Sequence, residues 1–354
     1  MDRRAASGTT LTLLLVGLLA VTINVSVVEA GGTVYIRADG SVDPSSAPIS
    51  TVDNVTYTLT GNIYDFIVVE RDNIVLDGAG YTVQGTGNGT GIYLSGRSNV
   101  TVKNTTVTEF NYGIYLHNSS GCTISGNTAN NNSGGFTGGI YLNYSSGCTI
   151  SNNTANNNIG VYIAGIYLAY SSGCTVSDNT ANNNMYFGIF LYPYCDNCTV
   201  SGNNANNDNR AGIYLVHSSG CTVSDNTANN DYYYGESGIR FFNCVNCTVS
   251  GNSVKNATYA GIYLTDSSGC TVSGNTANNN RYGIHLYNSF SNNFYHNNFI
   301  SNTQNAYSYN SINTWDDGYP SGGNYWSNYT GVDNYCGPYQ NWMGSDGIGD
   351  TPYV

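Results

Sequence analysis

Gly113-Ile-Tyr-Leu-His-Asn-Ser-Ser-Gly-Cys-Thr-Ile-Ser-Gly-Asn-Thr-Ala-Asn-Asn-Asn132 decides the fold. Its opening Gly recurs at 91, 113, 139, 165, 188, 212, 238, 261 and 283, in steps of 22 to 26 residues. Self-similarity at that period marks a solenoid, each unit being one coil. Within a unit, two short alternating runs are separated by a Ser-Gly turn and followed by an Asn-rich corner. Alternation carried by Val, Ile, Thr and Tyr reads as strand. A leucine-rich repeat needs its own Leu pattern, and a propeller blade needs about 40 residues.

Successive strand side chains face opposite sides. Ile114, Leu116, Cys122 and Ile124 therefore point inward, and Tyr115, Thr123 and Ser125 outward. Ala129 is a third inward position, equivalent to Val107, Ala155, Ala181, Ala205, Ala228, Val254, Ala277 and Phe299. One coil cannot bury its apolar side, but stacked coils bury a continuous one, with like residues in ladders about 4.8 Å apart. The expected fold is all-β: a right-handed, single-stranded parallel β-helix of about ten coils. Residues 60–300 hold the repeats, 31–59 an N-terminal cap and 301–354 a Trp- and Tyr-rich C-terminal cap over the open sheet edges. An Asn ladder (Asn127, Asn153, Asn179, Asn203, Asn226, Asn252, Asn275, Asn297) reads as structural, satisfying buried amides at a bend.

Charged residues make up 9% of the chain, and the net charge of −12 leaves no basic footprint for nucleic acid. Asn, Ser, Thr, Gly and Tyr give a surface polar through amides and hydroxyls. Residues 1–30 read as a secretory signal: Arg3 and Arg4, then the apolar run Leu11 to Val21, then Val28-Glu29-Ala30 before a cleavage point at Gly31. An uncleaved anchor and a pilin-type cleavage after Gly8 are the rival readings. No other segment is apolar enough to span a bilayer. Sequons at Asn54, Asn88, Asn104, Asn118, Asn143, Asn256 and Asn328 fit an exported, secreted or cell-surface glycoprotein.

The serial G-I-Y-L…C-T-V-S-G-N units, together with Asp72-Asn-Ile-Val-Leu-Asp-Gly-Ala-Gly80, resemble the parallel β-helix repeat family, in particular its NosD-like branch of carbohydrate-binding and sugar-hydrolase domains. The tail, Gly323-Asn-Tyr-Trp-Ser-Asn-Tyr-Thr-Gly-Val-Asp333 with Ser345-Asp-Gly-Ile-Gly-Asp-Thr-Pro-Tyr353, resembles the ends of archaeal surface proteins of this type. The resemblance implies a secreted β-helix. It spans polysaccharide lyases, epimerases, surface proteins and a periplasmic protein tied to copper maturation of nitrous oxide reductase. Fold alone does not choose among them.

Seven cysteines share one inward position: Cys122, Cys148, Cys174, Cys198, Cys221, Cys247 and Cys270, with Val100 and Asn292 at the ends. Their leading reading is small buried hydrophobes. Disulfides between coils rank second. A Cu(I) site ranks third, since no Met or His is interleaved and the ladder is inaccessible. Cys195-x-x-Cys198 and Cys244-x-x-Cys247 add a thiol each beside the ladder, open as local disulfides or paired ligands, and lie two coils apart, too far for a shared four-Cys zinc site.

An outward row, Tyr93, Tyr115, Tyr141, Tyr167, Phe190, Tyr214 and Tyr263, is the candidate carbohydrate-binding strip, broken or ended by Arg240 and His285. Aromatic corners just before each Gly (Tyr112, Phe136, Tyr162, Tyr186, Phe187, Tyr232, Tyr233, Tyr234, Tyr259, Tyr282) lie on the same side, where all length variation falls. Such rings stack on sugars, or simply on each other to hold coils together. A polysaccharide or surface glycan is the expected partner, with end-to-end or lateral self-association also open.

For catalysis, hydrolases of this shape need paired carboxylates. Asp178 and Asp225 share a repeat position two coils apart, but a turn favours Asp there. Glu236 near Arg240 and Arg210 is a lyase candidate. His117, His217, His285 and His296 form no metal-ligand spacing. No residue is assigned as catalytic. In the tail, Asp333, Asp346 and Asp350 form a candidate calcium loop, with a plain Gly-Asp turn as the alternative.

Overall fold

Short strands of Val, Ile, Thr and Tyr, interrupted by Gly and Asn at each corner, are bound to pair with the next coil. The computed structural model describes residues 32–134, 138–160, 164–229 and 237–353; the segment read above as a signal, Phe136, Tyr162, Asp231, Tyr232–Tyr234 and Glu236 lie outside them. The described chain is an all-β solenoid with no α-helix. None of its helices is long and apolar enough to cross a membrane, since it has none.

Three sheets wrap one core. The first holds 13 strands, among them Tyr112–His117, Ile140–Asn143 and Ala164–Ala169, paired in parallel from Ile36 to Tyr309 after an antiparallel opening strand, Val42–Asp43. The second holds 12 strands, such as Thr123–Ser125, and starts from an antiparallel pair between Ile49–Ser50 and Thr56–Leu59. The third runs from Thr227–Asn229 to Tyr325–Trp326 and continues toward the N-terminus as single bridges such as Thr128↔Thr154. Parallel crossovers of this kind take the right-handed sense. Stacking thus reaches into both segments expected as caps.

The register keeps like residues on like. Ile114 pairs with Ile140 and Ile140 with Ile166, and all three are fully buried. The whole Ala129 series is fully buried too. At the C-terminal end Trp315 stacks on Phe294 and Trp326 on Phe299, both at 4.7 Å, and Tyr353 covers Trp326 at 4.4 Å. Trp342 does not join them; it is 65% exposed on a separate antiparallel pair. The recurrent Gly is demanded by space, not by backbone angle: a Cβ on Gly113 would meet the Gly139 carbonyl at 2.5 Å and the Asn132 amide at 2.9 Å.

Every corner has its own ladder of polar side chains. Asn179 Nδ2 donates to the Ile150 carbonyl at 2.9 Å and to Asn203 Oδ1 at 3.0 Å, while Asn153 N and Nδ2 donate to Asn179 Oδ1 at 2.9 and 3.0 Å. The same bonds run from Asn127 to Asn324. Two further rows rise from the corner that follows. Asn130, Asn156, Asn182 and Asn206 each accept from the next coil's backbone, and Asn132, Asn158 and Asn184 continue to Asp208. At the first corner the rung is serine: Ser119 N donates to Ser145 Oγ at 3.1 Å, and Ser145 N to Ser171 Oγ at 3.0 Å.

That serine rung accounts for the two extra thiols. Ser119 Oγ donates to the Leu94 carbonyl; Cys195 Sγ donates to Leu168 and Cys244 Sγ to Leu215 in the same way. Both stand where other coils place serine, and Cys244 also meets Cys247 of the cysteine ladder. All nine cysteines from Cys122 to Cys270 are buried and free, and Cys336 alone is partly exposed. Burial pushes the Cys195 thiol up to about 12, against reactivity.

Removing the amide in Asn179→Ala should cost about 2–4 kcal/mol, because buried donors and an acceptor on both neighbouring coils lose their partner; urea unfolding of the two proteins checks this. A thiol reagent added to the native chain should titrate Cys336 and leave the other nine unreacted until denaturant is present. Fast reaction of several thiols in the native state would favour the copper reading.

Candidate functional site

Outward positions on the first sheet repeat every coil, so the register that aligns the core also aligns what faces out. Tyr35, Val68, Tyr93, Tyr115, Tyr141, Tyr167, Phe190, Tyr214, Arg240, Tyr263, His285 and Tyr307 are successive partners in one file. The seven aromatic residues expected there are thus brought together. Tyr115 stacks on Tyr141 at 4.8 Å, Tyr141 on Tyr167 at 4.9 Å and Tyr167 on Phe190 at 5.1 Å, with ring planes 13–19° apart.

This geometry changes what the row can offer. Neighbouring rings occupy each other's faces, so edges and hydroxyls face solvent, and the tyrosines are half-buried. Burial raises the phenol pKa of Tyr115, Tyr141 and Tyr167 above the usual range, so they act as neutral donors and acceptors. The Phe190 rung is closed over. Phe187, Ala164, Ala211 and Val216 form a small outer core around it, with Tyr186 and Phe242 packed alongside. Arg240 and His285 continue the file rather than break it. The Arg240 guanidinium lies over Tyr214 at 5.0 Å and over Tyr263 at 5.1 Å, and His285 stacks on Tyr263 at 4.6 Å.

Past Tyr263 the face opens into a cleft of about 500 Å³ lined by Tyr259, Tyr263, Arg281, Tyr282, His285, Tyr287, Tyr307 and Tyr309. His285 forms part of its floor and is 5% exposed, ringed by Tyr259, Tyr282 and Tyr307 at 4.8–5.2 Å. Neither ring nitrogen has a hydrogen-bond partner among the described residues. Burial, helped by the nearby Arg281 charge, lowers its pKa to about 4, so the imidazole is neutral at physiological pH. Tyr287 and Tyr309 at the rim are 40% and 53% exposed and stack on one another at 5.3 Å.

A second aromatic row was legible in the repeat but hidden by the dominant one. Tyr144, Tyr170 and Tyr194 occupy the corner after the first strand, where other coils place Asn118, Asn243, Asn288 or Asn310. All these residues have φ near +50°, a left-handed conformation that suits Asn and costs a tyrosine about 1 kcal/mol. Tyr144 stacks on Tyr170 at 4.6 Å. The signal was a Tyr five residues after Gly139 and Gly165.

The other candidates stay apart from this face. Asp178 and Asp225 sit at the corner after the second sheet, both at φ +57°, where Gly126, Gly202 and Gly251 stand in other coils. They hold turns. In the tail, Asp333 accepts from Ser345 Oγ at 2.7 Å and from the Asp346 and Gly347 N–H groups, which together hold it below the usual carboxylate range. Asp350 accepts from Asn334 N and Tyr335 N, and Asp346 from Gly337 N and Gln340 Nε2. These carboxylate oxygens are engaged by N–H and O–H donors. No group of three or more metal-ligating side chains occurs among the described residues.

Residues 163–331 match the family described as periplasmic copper-binding protein (NosD), and residues 67–228 match the right-handed beta helix region. Among curated proteins there is no match. Among solved structures, the A-module of the Azotobacter vinelandii mannuronan C-5 epimerase AlgE6 is similar at 18% identity, with a TM-score of 0.52 over 80% of this chain and 90% of that one. The periplasmic alginate epimerase AlgG is similar at 16% identity, with a TM-score of 0.52 over 73% and 83%. At such identities the likeness establishes the fold.

A folded-state pKa below the ordinary 6.5 means the unfolded chain binds the extra proton first. The contribution of His285 to stability is therefore full above pH 6.5 and is lost as pH falls toward 4. Between pH 7.5 and 4.5 the wild type should lose about 2 kcal/mol more than His285→Phe, measured by urea unfolding.

Proposed function

Since the chain belongs with the NosD-like right-handed parallel β-helix proteins, we propose that it binds polysaccharide outside the cytoplasm, along the outer face of its first sheet. The observation that carries this is the continuous file from Tyr93 to Tyr307, aromatic at every rung but Arg240, ending in an open cleft rimmed by exposed tyrosines. A groove of ring edges, phenol hydroxyls and flanking amides offers the alternating apolar and hydrogen-bonding character of a sugar chain. The strip is linear, as a polymer requires, and low in charge, so binding along most of it depends on shape and hydroxyl pairing. Two proteins of the same fold carry names that place them on polysaccharide: a mannuronan epimerase and an alginate epimerase, the latter periplasmic. The periplasmic description of the matched family and the signal-like N-terminus support an extracytoplasmic setting.

An enzymatic reading, as a polysaccharide lyase or hydrolase, is favoured by one feature: an imidazole among tyrosines on the floor of a cleft. The carboxylates first considered, Asp178 and Asp225, serve turns elsewhere.

A glycan array probed with the mature chain from Gly31 should yield at least one polysaccharide hit. Replacing Tyr115, Tyr141 and Tyr167 together by Ala should reduce retention on that glycan at least tenfold. Retention equal to wild type would refute the strip as the binding surface. Release of fragments during incubation would move the enzymatic reading to the front.

A further inference from the structure

Basic residues are few in a chain of net charge −12, so where they stand is informative. In the N-terminal coils they are committed. Arg37 pairs with Asp43 and Glu70, Arg97 with Asp72 and Lys103 with Asp77, while Arg71 donates to the Ala38 carbonyl. Arg281 differs. It is exposed, at the mouth of the Tyr259–Tyr309 cleft, with its guanidinium 5.1 Å from the Tyr282 ring and 5.9 Å from Tyr259. No carboxylate of the described residues lies within 4.0 Å of it.

His285 is the second oddity, and it is independent of the first. The Asn and Ser ladders satisfy their polar groups coil by coil, yet on the outward file this buried imidazole has no partner for either nitrogen among the described residues. An unmet buried donor costs about 1–3 kcal/mol. Packing does not require it, because the same file position is filled by Phe190, Tyr263 and Tyr307 elsewhere. What histidine adds over those rings is an N–H donor within the cleft.

We propose that this cleft is a seat for the anionic group of an acidic sugar, a carboxylate or sulfate held by Arg281 and by an N–H of His285, with the sugar ring against Tyr287 and Tyr309. The proposal rests on the reading of the first sheet as a glycan surface and names the substrate class for its C-terminal end. Arg281 supplies the charge that most of the strip lacks. His285 supplies a directed donor that discriminates an anion by orientation. Both nitrogens are covered in the present arrangement, so the ligand enters as the half-buried Tyr259 or Tyr282 side chain turns aside. A seat at one end of a long strip would set the register of a bound polymer.

The test is calorimetry on the full chain with three oligosaccharides of equal length: an oligouronate, its carboxyl-reduced counterpart and a sulfated neutral oligosaccharide. The oligouronate or the sulfated sugar should bind at least tenfold more tightly than the neutral one. Arg281→Ala and His285→Phe should each remove most of that preference. Which anionic ligand responds to the variants identifies the anion. In ring-labelled histidine spectra, the His285 resonance should move on adding that ligand, and those of the distant His117 should not. Variants that keep the acidic preference, or a neutral sugar bound as tightly as both anionic ones, would overturn the seat and leave the aromatic strip standing. Failure of all three sugars to bind wild type, with the glycan array also blank, would overturn the strip and the seat together.

Discussion

The interaction on which everything else depends is the amide-to-backbone bond repeated from coil to coil at each corner. A solenoid that turns three times per coil must bury backbone groups at every turn, where strand pairing cannot reach them. Asn127 through Asn324 solves this at one corner by donating to a carbonyl of the coil below and accepting from the amide of its neighbour. Serines do it at another. Because each residue binds its equivalent, register is locked to the repeat. A slip by one residue would orphan the whole row and also turn the apolar side chains outward.

Locked register has a consequence for the surface. Whatever stands at an outward position in one coil stands beside its equivalent in the next, so a Tyr in the repeat becomes a stack. The stack stabilises the coils by ring contacts, and it builds a straight strip at no further conformational cost. Structural and binding roles are therefore not rivals in this chain. Ring faces hold coils together, while edges and hydroxyls remain for a ligand. Where the repeat departs from its consensus, as at Arg240, Arg281 and His285, the strip acquires chemistry the consensus lacks.

The cysteine ladder shows the same principle turned inward. A thiol is small and apolar enough for the narrow core and carries a weak donor that reaches a nearby carbonyl. Cys195 and Cys244 were open as ligands or disulfide partners when only their spacing was known. Their place in the serine rung explains them by the hydrogen bond they make. The copper-binding description of the matched family finds no cluster of three ligands among the described residues.

Much of this protein was legible in its residues alone. The Gly spacing, the strand alternation, the inward Ile, Cys and Ala series and the Asn row determine a parallel solenoid and its facing, because period and parity are properties of the chain itself. The membership of the Tyr93–Tyr263 file followed from the same parity. Three things waited for the tertiary structure. Ring stacking took up the faces of that file, because the coil spacing falls in the centroid separation of offset-stacked rings. Phe190 was closed over by residues of neighbouring corners. The cleft was assembled by Tyr259, Arg281, His285 and Tyr309, which come from different coils and whose burial and missing partners depend on how corners of unequal length fold back over the sheet. The repeat states which way a side chain points, but only the packed coils decide what it meets there.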